Sequence, residues 1–316
     1  MPALGLLFTD YKNNHEQLIM SKKILLFLSL CCFAASSYGQ LSPSAIWAAE
    51  ATVRYQQYPN EIYQTENGIE MTLDVYARRD VATPQPTLVF LHGGFWVRGS
   101  KDTQLMALMP WLEMGWNVVN VEYRLGGVAP APAALVDSYC ALRFVAANAE
   151  RFNVDTSRIV VSGQSAGGHL ALSVGLMADA GFDESCPAGA TPAVAAVVNW
   201  YGVTDVPDVI SGQNRSDAAA SWFAGIPQRE VMPLAEKLSP LGYVRDNLPP
   251  IMTVQGDNDQ VVPYAHGVAL HEALNQTNVT HQLLTIPGGG HGGFTGSERQ
   301  HIYSNIQAFL TRVGLR

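Results

Sequence analysis

Apolar residues in this chain fall into two recurring patterns, and their alternation sets the expected architecture. Short runs that are apolar at nearly every position occupy residues 87–91 (TLVFL), 117–121 (NVVNV), 158–162 (RIVVS), 194–200 (VAAVVNW), 251–255 (IMTVQ) and 281–286 (HQLLTI). Runs this continuous suit strands buried on both faces, as in a parallel sheet with helices above and below. Residues 69–76 alternate instead, as a half-covered strand does. Between the runs lie stretches with helical spacing. The first is 133–148, where Leu135, Leu142, Phe144 and Val145 carry the period and Pro130 and Pro132 fix the entry; 166–178, 262–275 and 298–313 follow. Strand then helix, repeated, predicts an α/β fold: a mostly parallel, doubly wound central sheet with helices on both faces and its ligand site at the carboxyl ends of the strands.

Residues 203–243 break this rhythm with Gly, Pro and mixed polar positions around an apolar knot at Ser221-Trp222-Phe223. Weak periodicity of this length at a strand's end makes either a small lid or pocket wall, or an ordinary surface excursion.

The N-terminus follows another logic. Lys22-Lys23 precede an apolar run from Ile24 to Ala35 and the small residues Ser36-Ser37-Tyr38-Gly39 before Gln40. That is the order of a secretory signal peptide cut near Gly39/Gln40, and the run is too short for a membrane span of roughly 20 residues. Residues 1–39 are therefore read as an upstream extension plus signal peptide, and 40–316 as one catalytic domain that is secreted or periplasmic, with no stable membrane anchor. After the cut, Cys140 and Cys186 form an even pair in an oxidising compartment, where a disulfide is permitted.

Composition narrows the function. The chain has 316 residues, 47% hydrophobic and only 15% charged, enough to bury one large core. A formal net charge of −8 with scattered Lys and Arg excludes a nucleic-acid partner, which would need a basic surface.

The chemistry lies at the strand ends. Gly163-Gln164-Ser165-Ala166-Gly167 follows the run ending at Ser162 and opens a helical stretch. A serine on such a turn is presented at a strained apex, the flanking glycines leave the turn open, and the helix start points free N–H groups at a developing oxyanion. Upstream, His92-Gly93-Gly94-Phe95-Trp96 follows TLVFL. Glycines there let backbone N–H groups approach a substrate oxygen, so the expected oxyanion hole is Gly94 and Phe95 N–H with Ala166 N–H, Gly93 shaping the turn and His92 bracing the loop.

A base and an acid follow in the order this fold requires. His291, in a glycine-rich loop after the last run, lies 32 residues beyond Asp259, which itself lies 94 beyond Ser165. Asp259 stands farther along its loop than Asp257, which is placed to hold the turn; Asp257 and then Asp205 remain as alternative acids. In this reading His291 takes the Ser165 proton and Asp259 fixes its tautomer. No cofactor is required, and no His or Cys pair has zinc-ligand spacing.

At this point the chain resembles the esterase/lipase branch of the α/β-hydrolase superfamily, which includes hormone-sensitive-lipase-like, acetyl-esterase and feruloyl-esterase-like enzymes. The likeness runs from about Thr72 to the C-terminus. It rests on HGGFW at His92, on Tyr123-Arg124-Leu125, on DSYCALRFV leading into RFNVDTSRIVVSGQSAGGHLAL, on SPLGYV at Ser239, on GDNDQVVP at Gly256 and on GGGHGGF at Gly288. Hormone-sensitive-lipase-like members usually carry a third glycine and an acidic residue where this chain has Phe95 and Gln164, so HGGFW and GQSAGG look closer to the feruloyl-esterase-like and kynurenine-formamidase-like subgroup. The resemblance implies a cofactor-free serine carboxylesterase acting on a small-molecule or polysaccharide-linked ester, short-chain or aryl, through an acyl-enzyme. Two alternatives stand beside it: an amidase or formamidase using the same residues, and a non-catalytic binding module, against which the presence of Ser165, Asp259 and His291 together argues.

Overall fold

The computed structural model describes Met20 and residues 41–316; the expected signal peptide and its cut lie outside the described residues. A helix over Pro43–Arg54, none of whose residues is buried, precedes eight strands. These are β1 (Tyr55–Glu66), β2 (Ile69–Arg78), β3 (Gln85–Leu91), β4 (Asn117–Val121), β5 (Val154–Gln164), β6 (Ala196–Trp200), β7 (Ile251–Gly256) and β8 (His281–Ile286). They form one sheet in the order β1-β2-β4-β3-β5-β6-β7-β8. The β1/β2 and β2/β4 pairs are antiparallel and every other pair is parallel.

Burial explains the two sequence patterns. Every residue of β4, β6 and β7 is buried, because helices cover both faces, so these strands are mostly apolar and hold their few polar residues, Asn117, Asn120, Asn199, Thr253 and Gln255, inside. β2 alternates and sends Met71, Leu73, Val75 and Ala77 inward. The long helices fall where expected, at Ala133–Ala147, Ala166–Leu176, Tyr264–Leu274 and Gly296–Arg312.

Two elements depart from expectation. β1 is mostly polar and contains Pro59, beside which its register with β2 shifts. An edge strand tolerates a missing N–H there, and the Asn67-Gly68 turn, with φ of 51° and 78°, closes the hairpin. A helix over Leu105–Glu113 was also unforeseen because Pro110 lies inside it; Leu108, Trp111 and Leu112 bury its inner face.

Residues 203–243 are far from a loose surface excursion. They form short helices at Val206–Ile210, Asp217–Ala220 and Gln228–Lys237, with single 3-10 turns at Ser221–Phe223 and Pro240–Tyr243. Val206, Val209, Ala219, Trp222 and Phe223 join the hydrophobic core. The segment is a wall over the carboxyl end of the sheet.

Strand order locates the site. From β3 the chain steps to β4 on one side and then crosses to β5 on the other, so the connections diverge between β3 and β5. A crevice opens at such a switch point, outside the carboxyl ends of the two strands. HGGFW leaves β3 and Ser165 leaves β5, on the two banks of that crevice.

Several buried contacts hold the frame. Arg124, just past β4, grips Asp137 of the helix Ala133–Ala147 through bonds of 2.6 to 3.0 Å and also reaches Glu66, which accounts for the arginine of the Tyr-Arg-Leu stretch. A disulfide joins Cys140 of the same helix to Cys186. Near the β8 edge, His271 and His281 bring their Nδ1 atoms to 2.9 Å, one donating to the other. Burial, with the neighbouring His281 second, pushes the His271 imidazole down to about 3.

A buried histidine with a lowered value binds its proton more readily once unfolded. Its contribution is complete above about pH 6.5 and is lost as pH falls toward 3, at up to about 1.4 kcal/mol per unit. The urea midpoint of His271→Leu should therefore lie below that of the parent at pH 7.5 and close on it, or pass it, at pH 4.5. An equal gap at both pH values would contradict this.

Candidate active site

The sequence dictates an unusual turn at the end of β5. Ser165 has φ 56° and ψ −118°, a left-handed backbone that non-glycine residues avoid. What permits it is the lack of side chains around it. A Cβ on Gly163 would collide with the Gly167 carbonyl, and one on Gly167 with the Leu91 carbonyl at the end of β3. The Ser165 N–H donates to the Trp200 carbonyl of β6 at 2.9 Å, and its own carbonyl accepts from His169 N–H at 2.9 Å, locking the apex between sheet and helix.

His291 and Asp259 converge on this serine. His291 Nε2 lies 2.8 Å from Ser165 Oγ, and His291 Nδ1 lies 2.8 Å from Asp259 Oδ2. The other oxygen, Asp259 Oδ1, accepts N–H bonds from Val261 at 2.8 Å and Val262 at 3.0 Å. An acid that accepts on both oxygens acts as a carboxylate, so Nδ1 of His291 carries the ring proton and Nε2 is free to accept from the serine. The Asp259 side chain is fully buried while that of His291 keeps 18% exposure, as a base that must meet a substrate requires. The Tyr201 ring lies 4.6 Å from the imidazole and closes its other side.

The alternative acids are placed elsewhere. Asp257 Oδ1 accepts the Gly288 N–H at 2.6 Å, so it ties its loop to the histidine loop instead of bonding within its own turn. Asp205 lies beside His266, whose Nδ1 faces the Asp205 N–H at 3.3 Å.

The glycine loop takes the other bank. A Cβ on Gly93 would press on the Gln164 carbonyl, so only glycine lets the loop lie this close to the elbow. Gly94, at φ 131°, accepts the N–H groups of Val97 and Arg98 and closes the turn. Phe95 and Trp96 then take φ of 56° and 61°. The N–H groups of Phe95 and Ala166 have no backbone or capping acceptor among the described residues, and both residues line one narrow cavity with Ser165. His92 is buried against the Tyr123 ring and its Nδ1 sits 2.9 Å from the Gly93 carbonyl, in line with bracing.

That cavity, about 260 Å³ with its mouth, is apolar apart from Ser165 and Ser216. Val203, Val209 and Ala219 from the 203–243 wall, Val261 and Val262 beside Asp259, and Trp96 complete it. Trp96 and the wall residues were not singled out as site residues. Trp96 adjoins Phe95 in HGGFW, which was the available signal; the wall residues carry none, since their place depends on contacts distant in sequence.

A fluorophosphonate probe reads out an activated serine directly. Ser165→Ala should abolish labelling, and Asp259→Asn should slow it by about 10³-fold or more through loss of the correct tautomer. Asp257→Asn should stay within about tenfold of the parent, the scale of one lost hydrogen bond. Labelling rates by mass spectrometry would check all three; equal losses in the two aspartate variants would refute the assignment.

The fold and geometry agree with comparisons to known proteins. The BD-FAE family model matches residues 73–274, well over half of the chain. Esterase LipC of Mycobacterium tuberculosis is 33% identical over 232 residues, covering 70% of this chain and 56% of LipC. The chain spans only a little over half the length of the first relatives it matches. Among solved structures, a truncated form of carbohydrate esterase from gut microbiota superposes with a TM-score of 0.70 at 25% identity, covering 82% of this chain and 98% of that one. A bifunctional GH43-CE of Bacteroides eggerthii gives 0.67 at 27% identity, covering 80% and 38%. With these matches, the diverging strand order and the serine turn between β5 and its helix, the chain belongs to the BD-FAE family, within the esterase/lipase branch of the α/β-hydrolase superfamily.

Proposed function

We propose that the protein is a serine carboxylesterase that cleaves short-chain or aryl carboxylic esters through an acyl-enzyme. One observation carries the reading: the unbroken chain from Asp259 through His291 to Ser165 Oγ, ending in a small apolar cavity shared with Phe95 and Ala166.

The chemistry follows from that geometry. An ester carbonyl seated over Ser165 is attacked by Oγ as His291 Nε2 takes its proton, and Asp259 steadies the resulting imidazolium. The Phe95 and Ala166 N–H groups, reinforced by the start of the Ala166–Leu176 helix, take up the oxyanion. His291 returns the proton to the leaving alcohol. A water then repeats the sequence on the acyl-enzyme and frees the acid.

The narrow cavity supports a short acyl group: the side chains of Val209, Ala219 and Trp96 wall it off. Likeness to a carbohydrate esterase from gut microbiota supports an acyl decoration on a plant polysaccharide as the natural ester. The Cys140–Cys186 disulfide supports an oxidising compartment, in line with the signal peptide expected before Gln40. A formamide could use the same catalytic residues, but LipC is named an esterase, which favours an ester.

A substrate panel tests the proposal. The value of kcat/KM on p-nitrophenyl acetate should exceed that on the octanoate by about tenfold or more, since each methylene without room is lost binding. Ser165→Ala should lower kcat by about 10⁴-fold or more. Acetylated xylan and methyl ferulate separate acetyl from aryl preference. Faster turnover of N-formylkynurenine than of any ester would instead make the protein an amidase.

A further inference from the structure

His169 stands four residues after Ser165 on the same helix, fully buried, and no step above uses it. Both its ring nitrogens are engaged. Trp96 Nε1–H donates to His169 Nδ1 at 3.1 Å, and His169 Nε2 lies 2.8 Å from the Leu238 carbonyl. An indole N–H only donates and a carbonyl only accepts, so the ring is the neutral tautomer with its proton on Nε2. Burial supports this by pushing the imidazole down to about 4.

Three segments meet at this ring. One is the helix carrying Ala166, whose N–H forms half of the proposed oxyanion hole. The second is the glycine loop carrying Phe95, which supplies the other half. The third is the 203–243 wall, through Leu238 and through Trp222, whose indole stacks on Trp96 at 4.5 Å and 13°. His169 meets both indoles edge-on, at 5.0 and 5.8 Å. Meanwhile the loop runs through two successive non-glycine residues with positive φ, a conformation that persists only when its surroundings over-determine it.

Resting on the esterase reading, we infer that His169 is a positioning residue: through Trp96 it sets the spacing between the Phe95 and Ala166 N–H groups that receive the oxyanion. His169 does not itself line the acyl cavity, so it touches no bound acyl group directly. Donors aimed at a developing oxyanion tolerate only about 0.5 Å of error, so loosening the Trp96 anchor weakens the transition state selectively.

The test uses His169→Leu, which removes both bonds, His169→Asn, which keeps an acceptor for Trp96, and Trp96→Phe, which removes the donor but keeps a ring on Trp222. With p-nitrophenyl acetate, His169→Leu should lower kcat by about 10- to 100-fold with KM within about threefold, and Trp96→Phe, whose indole also lines the cavity, should lower kcat by a similar factor whatever its effect on KM. Inhibition by an aryl trifluoromethyl ketone, whose adduct carries the oxyanion, should weaken in proportion to kcat/KM. His169→Asn should recover at least about threefold over His169→Leu, and the double variant His169→Leu/Trp96→Phe should be no worse than its poorer parent. Should His169→Leu fail to fold, Trp96→Phe and His169→Asn carry the test. The inference is overturned if folded Trp96→Phe keeps kcat within twofold, if folded His169→Leu raises KM in place of a fall in kcat, or if ketone inhibition is unchanged. Loss of activity in Ser165→Ala together with a parent-like Trp96→Phe would sink this inference alone; a fully active Ser165→Ala would sink the esterase reading with it.

Discussion

The candidate active site depends on one close approach: the carboxyl end of β3 lying against the turn that leaves β5. Gly163, Gly167 and Gly93 exist to permit it, because a methyl group at any of them would strike a backbone carbonyl of the neighbouring segment. The approach forces Ser165 into a left-handed conformation and aims its hydroxyl out of the sheet. It also brings the loop with Phe95 beside the helix with Ala166, so the candidate nucleophile and the proposed oxyanion donors arise from a single packing constraint. His291 and Asp259 come from strands farther along the same edge, and their loops are tied together by the Asp257–Gly288 bond before any substrate arrives.

Much of this was legible in the sequence, for a physical reason. Strands β3, β4, β6 and β7 are covered on both faces over most of their length, so they are predominantly apolar and stood out as runs. The serine turn, the glycine loop and the late histidine were visible because their backbone geometry restricts residue type. The choice of Asp259 over Asp257 came from loop position alone, and the structure sets Asp259 against His291. Elements that escaped notice lack such restrictions. β1 lies at an edge, where Pro59 and polar side chains are tolerated, and Pro110 masks the helix Leu105–Glu113. Burial of Val209, Ala219 and Trp222 comes from tertiary contacts that leave no local period. The Trp96–His169 bond spans 73 positions and has no spacing rule at all.

Electrostatics in the interior follow a consistent plan. Among the described residues, charged side chains in the interior are held by partners, as Arg124 is by Asp137, Lys101 by Asp74, and Asp259 by His291 and two backbone N–H groups. Two buried imidazoles, His169 and His271, are pushed down by desolvation. His291 differs from both by retaining some exposure and by facing the Asp259 carboxylate.

The origin of the cavity wall has a consequence for how this scaffold diversifies. The reacting groups sit on strand ends and glycine turns that admit almost no substitution, whereas Val209, Ala219 and Ser216 belong to an inserted segment with its own short helices. Part of the pocket's shape is therefore encoded apart from the bond-breaking chemistry, and that part can drift while Phe95, Ala166, Val261 and Val262 stay with the fixed loops. Trp96 couples the two, since it lines the pocket, belongs to the glycine loop and stacks on the inserted segment. Changes in the insert that disturb Trp222 pass through this indole to the catalytic loop, which limits how freely a new pocket can be grafted onto an old mechanism.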